Sequence, residues 1–161
     1  MTRIRPATGD DAPKISRLHT ESVLAFGPAA YDETQVSAWA AKDEEPDRTP
    51  IEDDDHHVAV AEAGENIVGF GHVVPGENEI RAVYVHPEHA RRGVGSTVLA
   101  HLEGYALGTG SKRLELRASL NAVGFYERRG YRSVRQGTRE MEYEGRRVTV
   151  PVVAMERSFT P

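Results

Sequence analysis

The sequence predicts an α/β fold of the α+β kind, a mixed and mostly antiparallel sheet flanked by about four helices. Three observations lead there. Strand patterns follow one another over residues 58–62, 67–74 and 79–85 with only tight turns between them, which makes an antiparallel meander. Apolar residues at helical spacing lie before and after this meander instead of alternating with its strands. The 161 residues suit one domain over 1–161, and no internal repeat divides them.

Residues 2–7 read as a short first strand, ended by Thr8-Gly9-Asp10-Asp11. Asp10 or Asp11 caps a helix with Pro13 in its first turn. Ile15, Leu18, Ser22 and Phe26 recur at helical spacing beside Val23, and Gly27-Pro28 breaks the pattern. A second helix is expected over 32–42, with Val36, Trp39 and Ala40 on one side. Residues 43–55 are charged and hold two prolines, which predicts a surface loop. After the meander, a helix over 95–107 carries Val98, Leu99, Leu102 and Ala106 as its apolar stripe, and Gly108 and Gly110 stop it. Residues 113–117 alternate as a strand, 122–129 form a short helix ending at Gly130, and a last hairpin pairs 139–143 with 148–156.

Composition narrows the function. Apolar residues make up 39% and charged residues 28%, an ordinary globular balance. No apolar run approaches the roughly 20 residues of a membrane helix, and the first residues lack the apolar segment of a secretory signal, so a cytoplasmic location and no membrane partner are expected. The net charge of −5 argues against sequence-independent nucleic-acid binding. With no cysteine there is no disulfide, thiolate metal site or cysteine acyl-enzyme. Acidic residues cluster at Asp43-Glu44-Glu45 and at Glu52-Asp53-Asp54-Asp55, and basic ones at Arg91-Arg92, Lys112-Arg113 and Arg128-Arg129. A local basic patch in an acidic chain points to a small anionic ligand; solvated helix ends explain Lys112-Arg113 better. Asp53-Asp54-Asp55-His56-His57 reads as solvated loop charge rather than a metal site, and no metal is expected.

The segment over 83–102 carries the chemistry. A strand, Val83-Tyr84-Val85, ends at His86-Pro87; the turn Arg91-Arg92-Gly93-Val94-Gly95-Ser96 follows, and an apolar helix begins. Gly93 and Gly95 permit close backbone approach and dihedrals closed to other residues. The first amides of a helix lack partners and lie at the positive end of its dipole, which suits an anion. A Walker turn needs a Gly-Lys-Ser/Thr string that is missing, and a dinucleotide turn needs a third glycine where Val98 stands. The bland reading is a helix start that merely needs glycine.

The stretch from Val83 through Ser96 resembles the acetyl-CoA motif of the Gcn5-related N-acetyltransferase (GNAT) superfamily. Asn121-Ala122-Val123-Gly124-Phe125-Tyr126, with Gly130-Tyr131 after it, is similar to the family's second motif, and Ile4-Arg5-Pro6-Ala7 and Asp10-Asp11-Ala12 to its opening strand and helix. Residues 31–40 and the tail hairpin resemble an uncharacterised bacterial subgroup. One departure is Ala90, where the family usually places Gln or Arg; Arg91 and Arg92 are expected to compensate.

The resemblance implies a sheet splayed between central strands, acetyl-CoA as co-substrate, and direct acetyl transfer to a primary amine, expected to be a small molecule. Acetyl-CoA contacts are then expected from Val83, Tyr84, Val85, Arg91, Arg92, Gly93, Val94, Gly95, Ser96 and Asn121. A strand bulge near Val85 is expected to offer a backbone N–H to the thioester carbonyl. Tyr126 matches the general acid that protonates the departing thiolate; Asn121 holds the pantetheine arm or the amine, or caps the following helix. For the base, Glu79 is the first candidate, sharing a strand face with Arg81, Val83 and Val85; His72 or a water relay are alternatives. Tyr31, Trp39 and His19 are candidates for the acceptor pocket, or core aromatics. Competing functions are a protein N-terminal or lysine acetyltransferase and a non-catalytic acyl-CoA sensor. The tail hairpin offers an edge for a homodimer.

Overall fold

A computed structural model describes residues 2–41 and 47–159. It contains a seven-stranded sheet in the order β1-β2-β3-β4-β5-β7-β6. The strands are β1 (Thr2–Pro6), β2 (His57–Ala63), β3 (Asn66–Val74), β4 (Glu79–Val85), β5 (Arg113–Ser119), β6 (Arg132–Tyr143) and β7 (Arg146–Ser158). The helices are α1 (Ala12–Phe26), α2 (Glu33–Ala40), α3 (Thr49–Glu52), α4 (Val94–Gly108) and α5 (Val123–Glu127). The mixed sheet and its flanking helices match the expected class.

All neighbouring strands run antiparallel except β4 and β5, which are parallel and register only at Glu79↔Glu115. From that point the two strands diverge, leaving the backbone of Val83, Tyr84 and Val85 without a strand on that side. A splayed sheet is a built-in slot, because ladder groups freed from one another are available to a ligand.

Helix α4 packs on one face of the sheet, with Val98, Leu102 and Ala106 fully buried and Leu99 1% exposed. It lies close because β3 presents glycine beneath it. A Cβ on Gly71 would stand 2.6 Å from a Val98 methyl and 2.7 Å from a Leu102 methyl. Leu18 of α1 packs on the opposite face against Val60 and Phe70, and Val36 and Trp39 of α2 share a cluster with Val148, Val150 and Val152 of β7.

Several expectations change in detail. The first helix is preceded by a 3-10 turn over Gly9–Asp11, and Asp11 serves that turn rather than the helix. Its carboxylate accepts the Thr8 N–H at 2.7 Å and two Arg5 N–H bonds at 2.8 and 2.9 Å. The Arg5 guanidinium holds this carboxyl down at about 2. Helix α2 is capped by Asp32 and Gln35 reciprocally, and ends at Ala40; the expected last residue Lys42 and the acidic run Asp43-Glu44-Glu45 lie outside the described residues. The expected surface loop contains a helical turn, α3. The histidines that follow it, expected as solvated loop charge, are not simply solvated: His56 Nδ1 meets His72 Nε2 at 2.8 Å, and His57, the first residue of β2, meets His101 Nε2 at 2.9 Å. The tail hairpin is far longer than its alternation predicted, since β7 is inserted between β5 and β6 and pairs on both edges.

The expected bulge also moves. From Gly69↔Val85 to His72↔Ala82 the β3–β4 register is regular; it shifts at the next step, where Val73 pairs with Ile80 and Arg81 is the extra residue. The bulge therefore lies four residues before Val85. It inverts the alternation. Ile80, Val83 and Val85 pack with the α4-side core, whereas Ala82 and Tyr84 pack with the α1-side core. The shared face proposed for Glu79, Arg81, Val83 and Val85 is thus interrupted at Arg81.

Candidate active site

The turn before α4 is built by two glycines for two different reasons. Gly93 sits at φ 84° as the N-cap, a left-handed conformation that costs other residues energy, and open space surrounds it. Gly95 is constrained by packing instead: a Cβ there would lie 3.2 Å from the Phe125 ring and 3.4 Å from Val85. Arg91, at φ 62°, shares the left-handed region. Thr97 N–H is the first to find a helical acceptor, Gly93 O at 3.0 Å, which leaves the amides of Val94, Gly95 and Ser96 directed outward from the helix start.

This turn opens onto a cavity of about 690 Å³ that runs along the β4–β5 splay to α1 and α2. Of the expected acetyl-CoA residues, Val83, Tyr84, Val85, Arg91, Gly93, Gly95, Ser96 and Asn121 line it. Arg92 and Val94 do not. Arg92 is exposed, and the Val94 side chain is 5% exposed in the core, where it packs over Gly69. Ala90 lines the cavity, so the departure in the motif falls on the wall itself.

Tyr126 lines the same cavity from α5 and is 7% exposed. Burial raises its pKa, with Tyr84 adding to the rise, so it stays protonated at all ordinary pH. Among the described residues its hydroxyl accepts and donates no hydrogen bond, whereas the Tyr84 hydroxyl accepts one from Trp39 Nε1 at 3.1 Å. Asn121 does not cap α5; the N-cap is Ala122, which leaves the Asn121 amide to the cavity.

The two base candidates lie elsewhere. Glu79 accepts the Arg81 Nε–H at 2.7 Å at the closed end of the splay and does not line the cavity. His72 is paired with His56 on the α1 face, and burial together with His56 lowers its pKa to about 4. Neither side chain is brought to Tyr126. Among the described residues no group of three or more His, Cys, Asp or Glu is arranged to hold a metal.

Arg129, and Tyr31 and Trp39 among the expected acceptor-pocket candidates, line the cavity with contacts that sequence spacing did not give. Arg129 hydrogen-bonds Ser96 and the Phe125 carbonyl and lies 4.0 Å over the Phe125 ring, at the mouth of the turn. The only sequence signal was a basic pair after the Phe-Tyr helix. Tyr31 donates to Pro151 O at 2.7 Å and accepts from Leu120 N–H at 2.9 Å, bridging β7 to the segment before Asn121. Trp39 lines the far wall with Tyr31, their ring centroids 5.6 Å apart. His19 packs edge-on to Tyr84 at 4.5 Å without lining the cavity.

A splayed mixed sheet, a helix start at the splay with three amides directed outward, and a buried tyrosine beside it form the arrangement an acyl-CoA-dependent acyltransferase would use. Comparison with known proteins agrees. A sequence model of the Acetyltransferase (GNAT) family matches residues 20–131. The uncharacterized N-acetyltransferase YafP of Escherichia coli (strain K12) is 30% identical over 134 residues, 83% of each chain. The crystal structure of a GCN5-related N-acetyltransferase from Rhodopseudomonas palustris superposes with a TM-score of 0.82 at 26% identity, covering 98% of this chain and 96% of that one. PaiA N-acetyltransferase from Thermoplasma acidophilum, solved with coenzyme A, shares the fold with a TM-score of 0.73 at 19% identity, over 98% and 99% of the two chains. The chain belongs to the acetyltransferase (GNAT) family and is an acetyl-CoA-dependent N-acetyltransferase. Among the described residues no helix is long and apolar enough to cross a membrane.

Proposed function

We propose that the chain acts over its whole length as one domain that transfers acetyl from acetyl-CoA to a primary amine of a small molecule. The observation that carries this reading is the single cavity joining the α4 turn, Tyr126 and the aromatic wall of α1 and α2. The pyrophosphate sits at the amides of Val94, Gly95 and Ser96, with Arg91 and Arg129 beside it. The pantetheine arm enters the splay and takes backbone bonds from β4, as a further strand would, with Asn121 on its other side. That a relative was solved with coenzyme A, and that a further neighbour of this fold, yncA from Salmonella typhimurium, was solved with acetyl-CoA, supports this donor.

The amine approaches from the α1–α2 side and attacks the thioester carbonyl directly. The Tyr126 hydroxyl donates to the departing sulfur. Its raised pKa keeps the proton in place until a thiolate forms, and its lack of another partner leaves it free to turn toward sulfur. Glu79 and His72 are too engaged elsewhere to touch the amine, so a proton from an ammonium acceptor leaves through water. The aromatic and aliphatic wall of Tyr31, Val36 and Trp39 supports a small acceptor over a folded protein surface.

Thiol release measured with acetyl-CoA against a panel of small amines, peptides and no acceptor tests this. Acetylation of small amines, with peptides poor, is expected. Preference for peptides would establish a protein acetyltransferase, and coenzyme A binding without thiol release for any acceptor would establish a sensor.

A further inference from the structure

Resting on the acetyl-transfer reading, we infer that the acceptor is an aromatic amine of low basicity, uncharged at neutral pH. The acceptor end of the cavity is lined by the aromatic side chains Tyr31, Trp39 and Tyr84, with Phe26, Val23 and Val36 beside them. The rings are fixed before any ligand arrives. Trp39 donates to the Tyr84 hydroxyl at 3.1 Å, Tyr31 is bonded at both lone-pair and proton, and Tyr84 stacks on Phe70 at 5.5 Å. Such an aromatic and aliphatic lining suits an aromatic body.

Charge argues in the same direction. Among the described residues, no Asp, Glu or His lines the cavity, whereas Arg91, Arg128 and Arg129 do. These arginines stand at the donor end, beside the pyrophosphate, so an alkylammonium ion at the acceptor end would lose its hydration without meeting an anionic side chain among the described residues. A cation can rest on an aromatic face, but Arg139 already lies 5.5 Å over the Trp39 ring. Histidine and carboxylate near the site are turned away: His19 lies behind Tyr84, and Glu79 is paired with Arg81.

The chemistry closes without a protein base. An aromatic amine, whose lone pair is partly delocalised into its ring, is already uncharged at neutral pH. Its nitrogen forms the C–N bond to the thioester carbonyl carbon and the C–S bond breaks. The proton that nitrogen loses ends on the coenzyme A sulfur by way of the Tyr126 hydroxyl. No other oxidant, base or co-reactant enters. An alkylamine would first have to shed a proton to water, since among the described residues no carboxylate or imidazole lines the cavity to take it.

Two isomers of one formula separate the cases: 4-methylaniline, weakly basic, and benzylamine, an alkylamine of similar size. With saturating acetyl-CoA near pH 7, 4-methylaniline is expected to show kcat/KM at least about tenfold above benzylamine. Its kcat/KM should be flat between about pH 6 and 8, while that of benzylamine rises about tenfold per unit. Trp39→Ala should raise KM for 4-methylaniline about tenfold with acetyl-CoA Kd unchanged, and Trp39→Phe, which keeps a ring, should restore much of it. Preference for benzylamine or for a polyamine, or no transfer to 4-methylaniline while calorimetry shows acetyl-CoA bound, would overturn the inference and leave the donor site standing. Absence of acetyl-CoA binding would overturn the acetyl-transfer reading as well.

Discussion

At the scale of single residues, Tyr126 and the two glycines of the turn make the strongest claims. Replacing Tyr126 by Phe removes one hydroxyl that bonds to nothing else among the described residues, so folding should be little affected. A fall in kcat of about 10²–10⁴-fold with acetyl-CoA affinity intact is expected, read by thiol release beside calorimetry. Glu79→Gln gives the opposite forecast. Its carboxylate faces Arg81, outside the cavity, so activity should stay within about threefold, whereas loss of a direct general base would cost about 10²-fold or more. The place of Tyr126 on the cavity wall was legible because the motif that marks it is local, within one short helix. The sequence could not show where Glu79 points, because a bulge at Arg81 has no periodic signature and reverses the face on which later residues fall. The contact of Arg129 with Ser96 was hidden for a related reason: the two are 33 positions apart.

At the scale of elements, α4 carries the proposed donor-binding turn, and its position is fixed by what lies beneath it. Gly71→Ala would place a methyl 2.6 Å from Val98 and 2.7 Å from Leu102, on a strand that cannot recede from the sheet. A loss of about 1–3 kcal/mol in unfolding free energy is expected, together with weaker acetyl-CoA binding, because α4 must move and its first amides move with it. Denaturant unfolding and calorimetry on the same variant test both halves. Unchanged affinity in a destabilised variant would separate the packing of α4 from the geometry of its start. The helix itself was plain in the sequence, since Val98, Leu99, Leu102 and Ala106 form one stripe and all are buried. The length of β6 and β7 was not. Much of β6 is an exposed edge strand, so its residues face water on both sides and carry no alternation to read.

At the scale of the whole molecule, acid should weaken the fold earlier than the carboxylates alone would. Burial lowers the pKa of His72 to about 4 from an ordinary 6.5, and it lowers those of His57 and His101 as well. A histidine whose folded pKa is depressed binds its proton more readily in the unfolded chain. Its contribution is therefore complete above the unfolded value and is lost as pH falls, for His72 between about 6.5 and about 4. Asp11 follows lower still, being held near 2. Chemical denaturation from pH 7.5 to 4 should thus show stability declining through this window, and His72→Gln should flatten the decline. The overall architecture was legible because three strands in succession followed by a glycine turn and an apolar helix allow few arrangements. For the aromatic wall the sequence offered Tyr31 and Trp39 as candidates but not their meeting with Tyr84, because the three come from separate elements and meet only when the sheet is assembled. The most direct test of the donor site is a crystal structure of the chain with coenzyme A. The pyrophosphate is expected at the amides of Val94, Gly95 and Ser96, with the sulfur inside the splay within hydrogen-bond reach of the Tyr126 hydroxyl. A pyrophosphate bound away from the α4 start, or a sulfur directed away from Tyr126, would contradict the account.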